Sequence, residues 1–326
     1  MLNFSYGQEV KKLLFENFEY SVNEHGGVVI DKYLGNDAFV KIPDYIDGQA
    51  VFEIGDGAFR DMKFIEEIIL PEKLKIIGNY SFCECRGIKE IVLPDGFLEA
   101  GGHSFYNCRK LERLEIPVSI EFIADGFIKN CEDLKEITVV TDGKLCSGII
   151  DLITNINNEI EIIFKKQNAK IILPEYDYEY IGNAPAMRFM TLTHGSGVVF
   201  RRALEPKGFN YHFYDSFFFR AVLAERPETV LKMALSRLMY PYMLEDEEKN
   251  GYIKYIRENI GGAVSYAAKN GDIAIIENID EAGGFDSETT DIALNEAAKC
   301  GDSEISAYLM NVKHTRFGKK KKSFDL

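Results

Sequence analysis

Two glutamates hold the same place in neighbouring copies of one phrase: Glu67 in EEIILP, residues 66–71, and Glu90 in KEIVLP, residues 89–94. If the two phrases stack as adjacent strands, their backbones lie ~4.8 Å apart. The carboxylates could then approach the ~5–5.5 Å separation of a retaining glycosidase, with one as nucleophile and the other as acid and base. That chemistry also needs a desolvating pocket to drive the two pKa values apart, and nothing in the sequence supplies one. A charged, solvated strand face is the plainer expectation.

The other reactive groups point the same way. Cys83 and Cys85 stand too close together for the usual metal knuckle, and no second Cys or His pair lies at a matching distance. No metal and no cofactor are expected. Cys85, Cys108 and Cys131 share a column with Met62, which marks small buried packing groups rather than redox centres. His25, His103, His194, His212 and His314 are scattered singly. The chain has no glycine-rich phosphate loop, HExxH helix or nucleophile elbow, so the expectation is a protein that is not an enzyme.

What must position Glu67 and Glu90 is a repeat. SFYNCRKLERLEIP aligns without a gap, at a spacing of 23, with AFRDMKFIEEIILP, SFCECRGIKEIVLP and FIKNCEDLKEITVV. The columns are Phe59, Phe82, Phe105, Ile128; Met62, Cys85, Cys108, Cys131; Ile65, Ile88, Leu111, Leu134; Ile68, Ile91, Leu114, Ile137; and Leu70, Leu93, Ile116, Val139. Ile54, Ile77, Ala100 and Ile123 run ahead of them, each followed by Gly or Ala, and Pro71, Pro94 and Pro117 close three copies. Every column is apolar, and no copy can bury its own apolar face alone. Each therefore reads as one coil of a solenoid with a short strand at Ile68–Leu70 and its equivalents. The frame predicts a further strand at Ile160 and Ile162, 23 residues beyond Ile137 and Val139, although Asp151 and Thr154 replace the Phe and Cys there. KIILPEY, residues 170–176, repeats the strand ending out of frame, as a closing cap would.

The IG dipeptide, the AF or SF pair, the cysteine and the closing L-x-x-I-x-LP resemble the BspA-type leucine-rich repeat. The resemblance extends to the lead-in, where a hairpin around Gly26 and Gly27 and the segment IPDYIDG look like that family's opening cap. Ile42 and Pro43 then mark an earlier coil, 28 residues before Leu70 and Pro71.

After about residue 182 the strand pattern gives way to a helical one. PETVLKMALSRLM places Pro227 in a first turn and Val230, Leu231, Ala234, Leu235 and Leu238 on one face. A second repeat follows at a spacing of 30, VSYAAKNGDIAIIENI against LNEAAKCGDSEISAYL, with Gly271 and Gly301 ending one helix and Asp272 and Asp302 capping the next. This AAKxGD hairpin resembles ankyrin repeats, without their threonine-proline-leucine-histidine signature. The expected fold class is α+β: a leucine-rich-repeat solenoid with its cap over residues 1–182, then an ankyrin-like all-α helical domain over 183–326. Between them FNYHFYDSFFFRAVL reads as an aromatic junction core, with sparse basic residues to support base stacking.

The 326 residues carry 52 acidic and 38 basic side chains, a net charge of −14, which would repel a phosphate backbone. Lys319 to Lys322 form a dense basic cluster and read as a solvated tail. MLNFSYGQEVKKLLF lacks the apolar core of a secretory signal, and no stretch is long and apolar enough to span a bilayer. A cytoplasmic protein with reduced thiols is expected, making no contact with nucleic acid or membrane; a surface or secreted adhesin is the alternative, since much of the BspA-type family is exported.

Both resemblances imply binding of protein partners. The outward strand positions supply the candidate face: Glu67 and Ile69, Glu90 and Val92, Arg113 and Glu115, Glu136 and Thr138. It is acidic, with apolar side chains beside the carboxylates, on a rigid sheet.

Overall fold

The computed structural model describes residues 12–183 and 188–317, with side chains described outside 180–192. Lys319 to Lys322 and most of the N-terminal segment lie outside the described residues. The chain divides into two compact units, residues 1–167 with 204–209, and residues 168–203 with 210–326.

The first unit is a solenoid. Its outer ladder runs through Glu90–Val92, Arg113–Pro117, Glu136–Val140 and Ile160–Phe164, all parallel. Phe39–Lys41 and Glu67–Ile69 form a parallel pair that places Phe39 opposite Glu67 and Lys41 opposite Ile69, the 28-residue first coil expected from Ile42 and Pro43. The later frame differs from the expected one. Ile137 stands opposite Ile162 and Val139 opposite Phe164, a coil of 25 residues rather than 23. A slip of two keeps every side chain on its face, because strand side chains alternate with a period of two.

The extra length goes into helix α1, Ser147–Thr154, which buries Gly148, Ile149, Leu152 and Ile153 where earlier coils carry a Phe and Cys turn. A second parallel ladder joins Gln49–Ile54, Ile76–Ile77, Glu99–Ala100 and Phe122–Ile123 at the positions read in the sequence only as an apolar column. At its edge the antiparallel strands Leu13–Phe15, Phe18–Val22 and Val28–Tyr33 make the opening cap, with Gly26 in the turn at φ +80°.

Between the ladders lies a column of rings. Phe59 and Phe82 stack with centroids 4.9 Å apart, as do Phe82 and Phe105, and Tyr33 of the cap stacks on Phe59 at 5.4 Å. The ring that follows Phe105 belongs to Phe127, edge-on at 5.3 Å, while Ile128 is half-buried. Each column thiol donates to the coil before it: Cys85 Sγ to the Phe59 carbonyl at 3.0 Å, Cys108 to Phe82 at 3.2 Å and Cys131 to Phe105 at 3.3 Å. The glycines after the two middle strands of the second ladder, Gly78 and Gly101, are there for lack of room. A Cβ on Gly101 would stand 2.5 Å from the Gly78 carbonyl carbon.

The second unit holds helices α2 (Gly197–Arg201), α3 (Tyr211–Ser216), α4 (Phe218–Ala224), α5 (Pro227–Met239), α6 (Asp246–Glu258), α7 (Ile260–Asn270), α8 (Ala274–Glu281), α9 (Ser287–Cys300) and α10 (Ser303–Arg316). It is not wholly helical as the sequence pattern suggested: Asp177–Asn183 pairs antiparallel with Arg188–His194, so strand persists past residue 182. The reading missed RFMTLTH because a single seven-residue strand carries no repeat.

Pro227 opens α5, whose buried side includes Val230, Leu231, Ala234, Leu235 and Leu238. Gly271 and Gly301 end α7 and α9 in the left-handed conformation, at φ +62° and +72°. Asp302 accepts from the amides of Glu304 and Ile305, and Asp272 from that of Ala274. Among the described residues no helix is long and apolar enough to cross a membrane.

Candidate protein-binding face

Alternation along each short strand buries Ile68, Ile91, Leu114 and Ile137, and so turns the residues on either side of them outward. The eight residues singled out in the sequence fall into two columns on that outer side. Parallel register sets Arg113 opposite both Glu90 and Glu136, and Glu115 opposite Val92 and Thr138. Glu67 and Ile69 hold the same positions on the preceding strand. Ile69 is 41% exposed and Val92 48%, so the second column opens with an apolar pair.

The charges interlock. Arg113 Nη2 donates to Glu90 Oε2 at 3.1 Å, and Lys165 Nζ to Glu115 at 2.9 Å. Glu90 therefore already has a cation beside it, and Glu67 lies exposed on its strand. These are the surroundings of solvated carboxylates, without the desolvation a glycosidase pair needs.

Four further residues extend the face. Phe39, 53% exposed, and Lys41 stand opposite Glu67 and Ile69, while Glu161 and Ile163 stand opposite Glu136 and Thr138. The signal for Phe39 and Lys41 was present in the sequence, since the same 28-residue step that links Pro43 to Pro71 links Phe39 to Glu67. For Glu161 and Ile163 the assumed 23-residue frame pointed two residues short.

The cysteines are packed as expected of structural groups. Burial pushes the Cys85 and Cys131 thiols up to about 12, and Cys108 also rises well above the ordinary range for the same reason. His103 stacks on Tyr80 with centroids 5.2 Å apart and leans on Tyr106 at 5.5 Å. In the second unit His212 lies 3.7 Å from Glu245 and 3.6 Å from Glu248, a trio whose ligand atoms fall within 4.8 Å. Both glutamates sit at the start of α6, where the positive end of the helix dipole favours carboxylates, so their place there has a structural reason.

The aromatic segment divides. Tyr211, Tyr214 and Phe218 are buried within the second unit, Tyr214 donating to the Ile172 carbonyl at 2.7 Å, whereas Phe219 is 55% exposed.

Residues 52–175 match the BspA type leucine rich repeat region, in six copies. The N-terminal part of this chain is thus a leucine-rich-repeat solenoid of that type, followed by a helical region. Among solved structures, the T. pallidum leucine rich repeat protein TpLRR is 24% identical over 39% of this chain and 71% of its own, with a TM-score of 0.34. A leucine-rich repeat protein from Bacteroides capillosus is 19% identical over 40% of this chain and 99% of its own, at 0.37. No curated protein matches the chain. Leucine-rich-repeat proteins serve in general as interaction scaffolds or adhesins.

Proposed function

We propose that this protein is a non-enzymatic scaffold that binds a protein partner through the outer strand face of its leucine-rich repeats. The observation that carries the reading is the pair of columns on that face: Glu90, Arg113 and Glu136 in one, Val92, Glu115 and Thr138 in the other, held in register by a parallel ladder, with Glu67 and Ile69 at the same positions on the neighbouring strand, which pairs with Phe39–Lys41. A rigid surface that combines ordered charge with the exposed Ile69 and Val92 has the make-up of a binding patch: a small apolar centre with a charged rim. A basic rim on the partner fits it.

The helical repeat at α7–α8 and α9–α10 is read as ankyrin-like, supported by its two αL glycines and the aspartates that follow them, and it stands as a second surface for the same task. The proposal places the protein in the cytoplasm; recovery of it from the medium or from the surface of intact cells would move the reading to an adhesin.

The test is capture from a native lysate on the full chain, beside a Glu67→Lys, Glu90→Lys, Glu136→Lys variant shown by circular dichroism and melting to be equally folded. A protein retained by the parent and lost by the variant supports the strand face as the site. Identical sets of retained proteins would remove that role from it.

A further inference from the structure

Apart from the exposed Arg220, whose guanidinium lies 5.7 Å from the Phe219 ring centroid, helix α4 is apolar on both sides. Phe218 and Ala221 turn into the second unit and are buried, while Phe219, Val222 and Leu223, spaced three and four apart, turn to solvent at 55%, 43% and 82% exposure. A seven-residue surface helix ordinarily keeps its outer side polar, and an exposed apolar cluster of this kind marks a place for a partner.

The cluster forms one wall of a groove of about 630 Å³, and α6 forms the other. Along α6 the lining residues are Glu247, Glu248, Gly251, Lys254, Tyr255 and Glu258. Glu247 and Glu258 are exposed there, Glu248 is largely covered beside His212, and Lys254, 4.0 Å from Glu258, is the one cation of the lining, so the wall stays acidic.

Gly251 sits in the interior of α6, where glycine weakens a helix relative to alanine. A Cβ built on it would meet nothing within 4 Å, so no neighbour in this chain demands the glycine. What it leaves is an opening in the groove wall where no side chain stands over the helix backbone.

We propose that this groove docks a short basic amphipathic helix from a partner protein. Leucines on one side of that helix cover Phe219, Val222 and Leu223, and lysines or arginines on its flank meet the exposed Glu247 and Glu258. Charge complementarity decides the occupant: the acidic wall repels an acidic helix or an anionic lipid surface and attracts a cationic one. This site shares no residue with the strand face, so the two readings stand or fall separately.

The test uses the full chain and a fluorescein-labelled 14-residue peptide, KLLKKLLKKLLKKL, with a scrambled peptide of the same composition that has no apolar side. Anisotropy should give the amphipathic peptide a Kd of about 10–100 µM that weakens with added salt, and the scrambled one at least ~10-fold weaker binding. Gly251→Leu, whose Cβ meets nothing within 4 Å, fills the opening and should cut affinity at least ~10-fold while leaving the circular dichroism spectrum and melting unimpaired. Phe219→Glu with Leu223→Glu adds negative charge and should still weaken binding, which separates the apolar contact from general attraction to an acidic protein. Equal binding of both peptides, an unchanged affinity in Gly251→Leu, or no binding by the parent at low salt would overturn the proposal. So would a dimeric parent in sedimentation that the Phe219→Glu, Leu223→Glu variant turns into a monomer, since a second copy would then be the occupant.

Discussion

Arg237 and Asp215 meet in a two-pronged ion pair inside the second unit, Nε to Oδ1 and Nη2 to Oδ2, both at 2.8 Å, with side chains 0% and 2% exposed. Further hydrogen bonds surround the pair: Arg237 reaches the carbonyls of Tyr240 and Tyr242, and the Tyr252 hydroxyl donates to Asp215 at 2.7 Å. Burial works against the guanidinium's charge, but the hydrogen bonds and charge of Asp215, with Tyr252 and Tyr214, together outweigh it and hold the pKa above its usual value. Removing one member strands the other. Arg237→Met alone should cost about 3–5 kcal/mol in urea unfolding, and adding Asp215→Leu to it should recover much of the loss. A double variant no more stable than the single one would mean that the pair is not acting as a unit.

The ring column ties coil to coil. Phe82 is fully buried between Phe59 and Phe105, so Phe82→Ala should remove about 3–5 kcal/mol from the solenoid's stability. Denaturant unfolding followed by far-ultraviolet circular dichroism reads this directly. Phe82→Leu, which keeps most of the volume, should cost clearly less.

Two glycines should respond to alanine with opposite signs. At Gly101 the added methyl meets Gly78 and Asn79 backbone atoms at 2.5 and 2.6 Å, and the coils must part, a loss of roughly 1–3 kcal/mol. At Gly251 the methyl meets open space on a helix, a gain of roughly 0.5–1 kcal/mol. Paired melting curves of Gly101→Ala and Gly251→Ala check both.

The thiols predict an alkaline limit. A thiol whose pKa is raised on folding stabilises the native state in full below the unfolded value, ~8.5, and loses that contribution as pH rises through the folded value. For Cys85 and Cys131 burial puts the upper end at about 12, so solenoid stability should fall steadily above pH ~8.5. Cys85→Ala with Cys131→Ala should flatten that slope while lowering stability at neutral pH. In the native protein a thiol reagent should modify the exposed Cys300 long before the buried Cys85, Cys108 and Cys131.

Much of the solenoid was legible because its information is periodic. Column by column, apolar positions at a spacing of 23 located the strands, the rings and the thiols, and the same columns named the eight outward residues. The parts that escaped lack a periodic signal. The second ladder is only two residues long in most coils, too short for alternation to register. α1 replaces a turn once, and its length moved the next strand by two. Phe127 was visible beside Ile128, but which of the two rings or chains fills the column is settled by packing against Phe105. The groove of α4 and α6 combines Phe219, Val222 and Leu223 with Gly251, residues distant in sequence that only the folded helices bring to one place.

A parallel ladder is open-ended by construction: the amides along its outermost strand are a template on which another chain can add. In the ladder that begins at Gln49–Ile54, one border is taken by the antiparallel cap, whose Val28–Tyr33 strand pairs with it. At the opposite border α1 packs beside Phe122–Ile123, with Gly148 drawn against Ile123. Covered at both borders, this parallel ladder offers no main-chain edge of its own to an added strand, and the free edge of the sheet is moved outward to Leu13–Phe15 in the cap. The solenoid's coils are a finite stack rather than a segment of a fibre.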